Sequence, residues 1–392
     1  MLQVKDCQAL LLSFPSLGRT ENVTLVNSLG RVLARDIVAD IDQPPFNKSA
    51  MDGYACRLED LPGPLKVSGE IAAGAYMDLK LEANHCYRIF TGAPVPKGAD
   101  CVFMQEDSLL NQDGRMLFTQ KESKVNICLQ GEDMRTGDVA IKSGTMIQPQ
   151  HMAIMAAFGM THPLVAAKPK VAIICSGSEL IEPEEKPVEG LIRNSNAYQL
   201  ISQMNMLGAN ADYLGIITDN KEKLSETIFA NIEKYNLIVV TGGASVGDYD
   251  FMPSVLSDLG AVVHFSALNI QPGKPVLLAT LQDTHILGLS GNPVSSYLQF
   301  HLVAKPLLFR LMNCSSPSFR IIKTILEEPI KRKKNNRQLY VPVKFTDNGF
   351  AKPLLFNGSG HITALENFDG FAILEPGVNE VTKEQVVETL LL

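Results

Sequence analysis

Three acidic residues each follow a run of aliphatic residues that has the character of a buried strand. They are Glu179, Asp219 and Asp250. Ligands of open α/β sheets bind beyond the carboxyl ends of the strands, and Mg²⁺ prefers carboxylate oxygens. These residues are therefore interpreted as contacts for Mg²⁺ or a polar ligand. The alternative for each is a helix N-cap or first-turn acid, and for Asp219 the sequence leaves both interpretations open.

The segment 241–250, which reads TGGASVGDYD, is rich in glycine. Glycines at a junction between a strand and a helix let backbone amides approach a phosphate, although many such loops are only tight turns. Because this loop also carries acids, which would repel a phosphate, it indicates a divalent cation between them. Its candidate ligand contacts are Gly242, Gly243, Ser245 and Gly247.

Three further loops carry candidate anion contacts. Lys274 lies in the rigid segment QPGKP, where it could place a positive charge beside a phosphate or an oxyanion. Ser176 opens the segment SGSE, and Asn292 lies in the segment SGNP. The alternatives are an exposed lysine in a turn for Lys274 and a helix cap for Asn292.

These loops need a sheet that brings them together. The stretch 169–315 alternates between apolar runs typical of strands and amphipathic runs typical of helices. This pattern predicts an α/β domain with a mostly parallel sheet and helices on both faces. The predicted strands are 171–175, 213–217, 237–241, 262–265, 276–279 and 286–289, and the predicted helices are 196–207, 220–235, 252–259 and 293–312.

The flanking regions differ in pattern. Helices are predicted at 5–14 and 20–35, and a helix is predicted around Met152–Phe158. The stretch between them is rich in glycine, proline and short β-like runs, and the end of the chain again resembles strands. The predicted domains are a discontinuous helical or linker domain (1–43 and 138–168), an inserted β domain (44–137), the α/β domain (169–315) and a C-terminal β domain (316–392).

Composition narrows the class of protein. The chain has 392 residues, 45% hydrophobic residues and a formal charge of −7, which argues against a nucleic-acid partner. Its seven cysteines are scattered without a C-x-x-C pair, as expected in a reducing compartment. The first residues do not show a basic region followed by an apolar run, and no apolar run approaches membrane-spanning length, so neither a secretory leader nor a membrane span is expected. We therefore expect a cytoplasmic protein without a membrane partner.

The ordered motifs resemble those of the molybdopterin molybdotransferases, the MoeA and gephyrin E-domain family. The resemblance covers essentially the whole chain. In chain order the motifs are PFNKSAMDGYA from Pro45, TGAP from Thr91, GED from Gly131, SGSEL from Ser176, RNSN from Arg193, TGGASVG from Thr241, PGKP from Pro272, GNP from Gly291 and GSG from Gly358.

The resemblance implies a reaction and an assembly. Members insert molybdate into adenylylated molybdopterin, and AMP and molybdenum cofactor are released in a Mg²⁺-dependent step. They are homodimers with four-domain subunits, and the site is shared between the α/β domain of one subunit and the N-terminal β domain of the other. The upstream adenylyltransferase is a candidate partner.

The resemblance also implies roles for individual residues. Glu179, Asp219 and Asp250 would position the pyrophosphate and Mg²⁺, and Lys274 and Ser359 would face the molybdate. Further matches to implicated positions are Asp52, which would act across the subunit boundary, Thr91 and Asp133.

Two positions depart from the family pattern, and two other functions stay open. Many members have a second lysine where this chain has Gln271, and an arginine where it has Pro342, five residues after Arg337. The charge that binds the oxyanion is then lower, and the choice between molybdate and tungstate stays open. The alternatives are a molybdopterin adenylyltransferase, which resembles the α/β domain alone, and a non-catalytic cofactor carrier or scaffold.

Overall fold

The chain folds into two compact units in a computed structural model that describes residues 1–74, 78–242, 251–316, 319–356 and 358–392. The first unit consists of residues 1–35, 143–148 and 162–392, and the second consists of residues 36–142 and 149–161. The predicted division into four domains is finer than these two units, and it stays a prediction. In the part of the chain that the structure describes, no helix has the length and apolar character needed to cross a membrane.

A six-stranded sheet forms the centre of the first unit. In spatial order its strands are Asn210–Ile217, Lys170–Ser176, Leu237–Thr241, Thr284–Leu289, Pro275–Leu281 and Val262–Ala267. The first four run parallel, which confirms the prediction for them. Pro275–Leu281 pairs antiparallel with both of its neighbours, so this one strand runs against the other five and the sheet is mixed but mostly parallel, as predicted. Only Gln282 and Asp283 lie between the strands Pro275–Leu281 and Thr284–Leu289. Because a parallel connection needs a dozen or more residues, these two strands must pair antiparallel.

Helices cover both faces of this sheet, as predicted. Successive residues of one strand face opposite sides: Val171 and Ile173 belong to one apolar cluster, and Ala172 and Ile174 belong to another. Burial on both faces is the usual reason for an uninterrupted apolar strand. The α-helices of the first unit are Val4–Ser13, Asn196–Met206, Lys221–Asn231, Met252–Asp258, Pro293–Gln299 and Lys305–Leu311.

The helix predicted at 293–312 is confirmed, with one irregularity. Its two α-helical segments are joined by a π-helical turn at Phe300–Ala304. Pro306 lies two residues after the end of this turn and cannot donate a backbone hydrogen bond, and its ring would clash with the carbonyl four residues earlier. A wider turn relieves that clash.

The helix predicted at 20–35 is wrong. The segment instead forms the strand Thr20–Asn22, paired with Leu164–Ala166, and the 3-10 turn Leu25–Ser28. Val26, an apolar residue within that predicted helix, is 78% exposed. A helical spacing of apolar residues therefore does not correspond to a buried face here.

A second sheet in the first unit belongs to the C-terminal part of the chain. Its strands, in order, are Ile270–Gln271, Gln338–Phe345, Gly370–Leu374, Val386–Leu391 and Arg320–Ile325, and Ala351–Pro353 pairs with the second of them. The long C-terminal strands agree with the prediction. The short strand Ile270–Gln271 joins this sheet by parallel pairing with Gln338 and Leu339. The segment before Lys274 is thereby fixed beside Arg337, whose Nη1 donates to the Ile270 carbonyl at 3.3 Å.

Short ribbons and turns complete the first unit. The ribbon of Leu180–Ile181 with Ile192–Arg193 follows the first parallel strand, and the pair Ile330–Lys331 with Glu380–Val381 belongs to the C-terminal part. The 3-10 turn Ile362–Leu365 follows the GSG motif.

The second unit contains a four-stranded sheet, as the β-rich sequence predicts. Its strands, in order, are Lys66–Ile71, His85–Ile89, Gly53–Cys56 and Cys101–Met104. Its smaller elements are the ribbons Lys48–Ser49 with Ile127–Cys128, Ile37–Val38 with Val139–Ile141 and Ser108–Leu110 with Met116–Phe118, the 3-10 turns Leu58–Asp60 and Gln105–Asp107, and the helix Pro149–Ala157.

Candidate functional site

A cavity of about 1160 Å³ opens in the first unit at the carboxyl ends of the parallel strands. Pockets for drug-sized ligands have volumes of about 300–1,000 Å³, so this cavity has room for a nucleotide-linked ligand. Seven of the predicted site residues line it: Ser176, Glu179, Asp219, Gly242, Lys274, Asn292 and Ser359. Loops that are distant in sequence therefore meet at one place, as the sheet topology requires.

The other predicted site residues fall into two groups. Asp52, Thr91 and Asp133 belong to the second unit and are not among the residues that line this cavity. Gly243, Ser245, Gly247 and Asp250 lie outside the described residues. The described residues of the cavity wall thus include some, but not all, of the predicted site residues.

Gly242 is held against the end of the neighbouring strand. It has a φ of +87°, and a Cβ atom built on it would lie 2.1 Å from the carbonyl oxygen of Ser176. That approach is possible only without a side chain. Glycine at this position therefore lets the strands Lys170–Ser176 and Leu237–Thr241 end side by side at the cavity wall.

Asp219 fastens the loop that carries Glu179. Its Oδ2 accepts a hydrogen bond from the Ser178 amide at 3.1 Å, and its own amide donates to Ser178 Oγ at 3.1 Å. The cap of the following helix is Asn220, whose side chain accepts from the Lys223 amide at 2.7 Å. The helix-cap alternative for Asp219 is therefore wrong, and its carboxylate lies in the cavity wall.

Asn292 also does not act as a side-chain cap. It occupies the N-cap position of the helix Pro293–Gln299, but its side chain makes no capping hydrogen bond. The GSG segment instead meets the start of this helix, since the Val294 amide donates to the Ser359 carbonyl at 3.1 Å. The Asn292 side chain is therefore available to a ligand in the cavity.

Three cationic side chains line the cavity: Lys274, Arg193 and Arg337. Arg193 donates through Nε to the Glu185 carbonyl at 3.0 Å, and Arg337 donates to a backbone carbonyl as well. Among the described residues, none of the three forms a salt bridge with a carboxylate. The cavity therefore combines acids with cations whose charge is available to an anionic ligand.

Sequence reasoning missed the residues that hold the Arg193 loop. Asn194 donates to the Tyr213 hydroxyl at 2.8 Å, and that hydroxyl donates to Glu182 Oε1 at 2.7 Å. Asn194 Oδ1 accepts from the Ala197 amide at 3.2 Å. The RNSN motif was the available signal for Asn194, whereas nothing near Tyr213 in the sequence indicated its contact with this loop.

The next asparagine of that motif joins two strand ends. Asn196 Nδ2 donates to Thr241 Oγ1 and to the Gly291 carbonyl, both at 2.9 Å. Its Oδ1 is buried and has no hydrogen-bond partner among the described residues. Buried polar atoms are normally paired, so this acceptor is suited to a ligand donor in the cavity that Asn196 lines.

Cys175 also lines the cavity, but it is not a nucleophile. Burial raises the pKa of its thiol to about 12. The reactive form of cysteine is the thiolate, so this side chain stays protonated and unreactive at neutral pH. The chemistry of the cavity therefore depends on its carboxylates, amides and cations.

In the second unit, Asp52 is tied to Thr91. One carboxylate oxygen of Asp52 accepts from Thr91 Oγ1 at 2.7 Å and from the Thr91 amide at 2.8 Å. These two bonds, and more weakly the charge of Arg88, lower the pKa of Asp52. The side chain is therefore ionised at neutral pH, and the stability that it contributes is lost only as the pH falls through that lowered pKa.

Three family models match successive parts of this chain. The model for the MoeA N-terminal region (domains I and II) matches residues 2–159, and the model for a probable molybdopterin binding domain matches residues 172–310. The model for the MoeA C-terminal region (domain IV) matches residues 323–392.

Relatives match over nearly the whole length. The molybdopterin molybdenumtransferase of Staphylococcus epidermidis is 34% identical over 379 residues, which cover 94% of this chain and 90% of that protein. The protein of that name in Bacillus subtilis is 33% identical, and the match covers 97% of this chain and 91% of that protein. This chain belongs to the MoeA family of molybdopterin molybdenumtransferases.

The fold agrees with this membership. The crystal structure of the molybdopterin biosynthesis MoeA protein of Pyrococcus horikoshii OT3 has a TM-score of 0.84 and 28% identity, and the match covers all of both chains. A further MoeA structure from that genus has a TM-score of 0.79 and 29% identity, and the match covers 100% of this chain and 99% of that one. This MoeA family member thus acts in molybdenum cofactor biosynthesis.

Proposed function

We propose that this enzyme inserts molybdate into adenylylated molybdopterin and releases AMP in a Mg²⁺-dependent step. The observation that carries the proposal is the cavity at the strand ends, which Glu179, Asp219 and Lys274 line together. Such a site can hold a pyrophosphate through a divalent cation and an oxyanion through an ammonium group. The activity in the names of its relatives supports the same reaction.

The residues present fit a magnesium ion. No group of three or more metal-binding side chains occurs within the described ranges, which exclude Asp250. Magnesium in phosphate sites keeps several waters and takes one or two carboxylates plus phosphate oxygens, so Glu179 and Asp219 suffice as protein ligands. When bound, it would neutralise the charge of the pyrophosphate that is cleaved. Asp250 is proposed as a third contact on the strength of its motif.

The protein's own residues have separate tasks in this proposal. The Asp219–Ser178 hydrogen bonds hold the Glu179 loop, and Gly242 lets amides at the strand end approach the phosphates. Lys274, with Ser359 and Asn292 in the same cavity, receives the oxyanion.

The role of Asp219 can be tested by its isosteric amide. Asp219→Asn retains an acceptor for the Ser178 amide but removes the charge, so we expect the Mg²⁺ concentration that gives half-maximal AMP release to rise roughly tenfold. The control is Asp258→Asn, which removes an exposed carboxylate that pairs with Lys221 outside the cavity. An unchanged Mg²⁺ dependence in Asp219→Asn would remove Asp219 from the metal site.

We also propose that the enzyme is a cytoplasmic homodimer whose sites combine the cavity of one subunit with Asp52, Thr91 and Asp133 of the other. Co-expressed Asp52→Ala and Lys274→Met subunits should then regain activity, because one site of each mixed dimer is intact. Random pairing predicts about a quarter of the wild-type rate. Co-expressed Asp219→Asn and Lys274→Met subunits are the control. Each cavity of their mixed dimer carries one of the two changes, so no site is intact and the activity should not exceed that of the separate variants.

The adenylyltransferase alternative and the carrier alternative are less well supported. The family models at both ends of the chain match regions beyond the molybdopterin binding domain. A carrier would not need cations and acids together in one cavity. A partnership with the upstream adenylyltransferase is proposed from the chemistry, because that class of enzyme supplies the adenylylated substrate.

A further inference from the structure

Gln299 is a fully buried polar side chain at the end of the helix Pro293–Gln299. Its Nε2 donates to the Gly273 carbonyl at 2.7 Å and to the Pro275 carbonyl at 2.6 Å. Its Oε1 accepts from the Ser290 amide at 2.8 Å. Both N–H donors and the carbonyl oxygen of this side chain are therefore used on the backbone of two loops that line the cavity.

The two carbonyls that Gln299 binds flank Lys274. The carbonyl of Lys274 itself accepts from the Leu268 amide at 3.0 Å, so the backbone of this loop is fixed at three consecutive residues. Gly273 has a φ of +87°, and a Cβ atom built there would lie 3.0 Å from Gln299 Nε2. Glycine is thus needed for the close approach of the loop to the glutamine.

Packing alone does not account for glutamine at this position. The same helix is anchored in the core by Val294 and Leu298, both with no exposed surface, and an apolar side chain could fill the volume of Gln299. Glutamine instead pairs three backbone groups of these loops, one in a buried contact and two in partly buried contacts. Its contacts connect the loop that carries Lys274 to the loop that carries Asn292.

We propose that Gln299 is a positioning residue that fixes Lys274 relative to the loop at 290–292 and thereby sets the affinity of the cavity for the substrate oxyanion. The ammonium group of Lys274 acts as a point charge, whose contribution depends on its distance from the anion. The three hydrogen bonds of the Gln299 side chain, here called the brace, hold the backbone on both sides of this lysine. The kinetic part of this inference rests on the proposed function, whereas the structural part does not.

The structural part is tested by Gln299→Met, which keeps the volume and removes all three hydrogen bonds. The matched control is Gln203→Met, at a buried glutamine on the helix Asn196–Met206. Gln203 contacts His301 at 3.4 Å through Nε2, and its Oε1 has no partner among the described residues. Hydrogen–deuterium exchange at the Ser290 amide should become at least about tenfold faster in Gln299→Met and stay unchanged in Gln203→Met.

The kinetic part is tested by the dependence of AMP release on molybdate concentration. In Gln299→Met, half-saturation should require at least about ten times more molybdate, because displacement of a charged group by about 1 Å is sufficient for such a loss. The limiting rate should change much less, and Gln203→Met should match the wild type. Gln299→Glu keeps the shape and the acceptor, and its defect should lessen as the pH falls, since only the protonated carboxyl group can donate to the loop.

The possible outcomes test different parts of the proposal. An unchanged exchange rate at the Ser290 amide in folded Gln299→Met would contradict the structural part, namely that Gln299 fixes the two loops. If Gln299→Met does not fold, the same measurement on Gln299→Glu decides. Faster exchange with an unchanged molybdate dependence overturns the positioning role. A wild-type enzyme that releases no AMP contradicts the proposed function, and the exchange result still decides whether the brace exists.

Discussion

Gly242→Ala is expected to lower the free energy of unfolding by about 3 kcal/mol or more, and to reduce AMP release at least about 100-fold. The added Cβ would lie 2.1 Å from the Ser176 carbonyl oxygen, a backbone atom that cannot rotate away. The ends of two strands must then separate, and the loop that carries Glu179 moves with them. Urea denaturation and the AMP release assay measure the two effects.

The control for this prediction is Gly260→Ala. Gly260 has a φ of +73°, but a Cβ built there would have no atom within 4 Å. This variant therefore isolates the strain of the left-handed backbone, and we expect a loss of only about 1 kcal/mol with normal activity. If both alanine variants lost equal stability, the contact with Ser176 would not be the reason that glycine occupies position 242.

Lys274→Met should reduce the rate of AMP release at least about 100-fold while the protein remains folded. Lys274 is half-buried, lies between two prolines on a loop fixed by backbone hydrogen bonds, and lines the cavity. In this chain Gln271 provides no second positive charge beside it, so Lys274 should contribute a large part of the attraction for the oxyanion. Lys274→Arg should restore only part of the rate, because its guanidinium group is larger and planar.

Lys170→Met is the matched control for the lysine substitution. Lys170 is exposed and begins the strand Lys170–Ser176, whose other end reaches the cavity. Its loss removes the same charge from the same sheet without a change in the cavity wall. A Lys274→Met enzyme within threefold of the wild type, or an equal defect in Lys170→Met, would contradict a role for Lys274 in oxyanion binding.

The convergence of loops at the cavity could be predicted from the sequence. Apolar strands that are buried on both faces are continuous in sequence, and parallel strands place their carboxyl ends at one edge. The strand pattern alone therefore predicts that Ser176, Asp219 and Gly242 lie at the same edge of the sheet, as they do. The motifs then add Ser359, which belongs to a different part of the chain.

Two kinds of feature could not be predicted from the sequence. The first is strand pairing that prevails over a helical spacing of apolar residues. In the segment 20–35, the residues Thr20–Asn22 pair with Leu164–Ala166 and the predicted helix does not form. The second is a contact between distant side chains, such as Tyr213 with Asn194 or Gln299 with Gly273. Neither contact has a periodic signal, because each depends on which elements become neighbours.

The most direct test of the proposed reaction counts AMP and molybdenum in the same mixture. Purified enzyme is mixed with adenylylated molybdopterin, Mg²⁺ and molybdate, and the released AMP and the metal bound to the pterin are measured together. We predict equal amounts of both, and neither product when molybdate or Mg²⁺ is omitted. Substrate binding without AMP release, or synthesis of the adenylylated compound from ATP in place of its cleavage, would contradict the proposal.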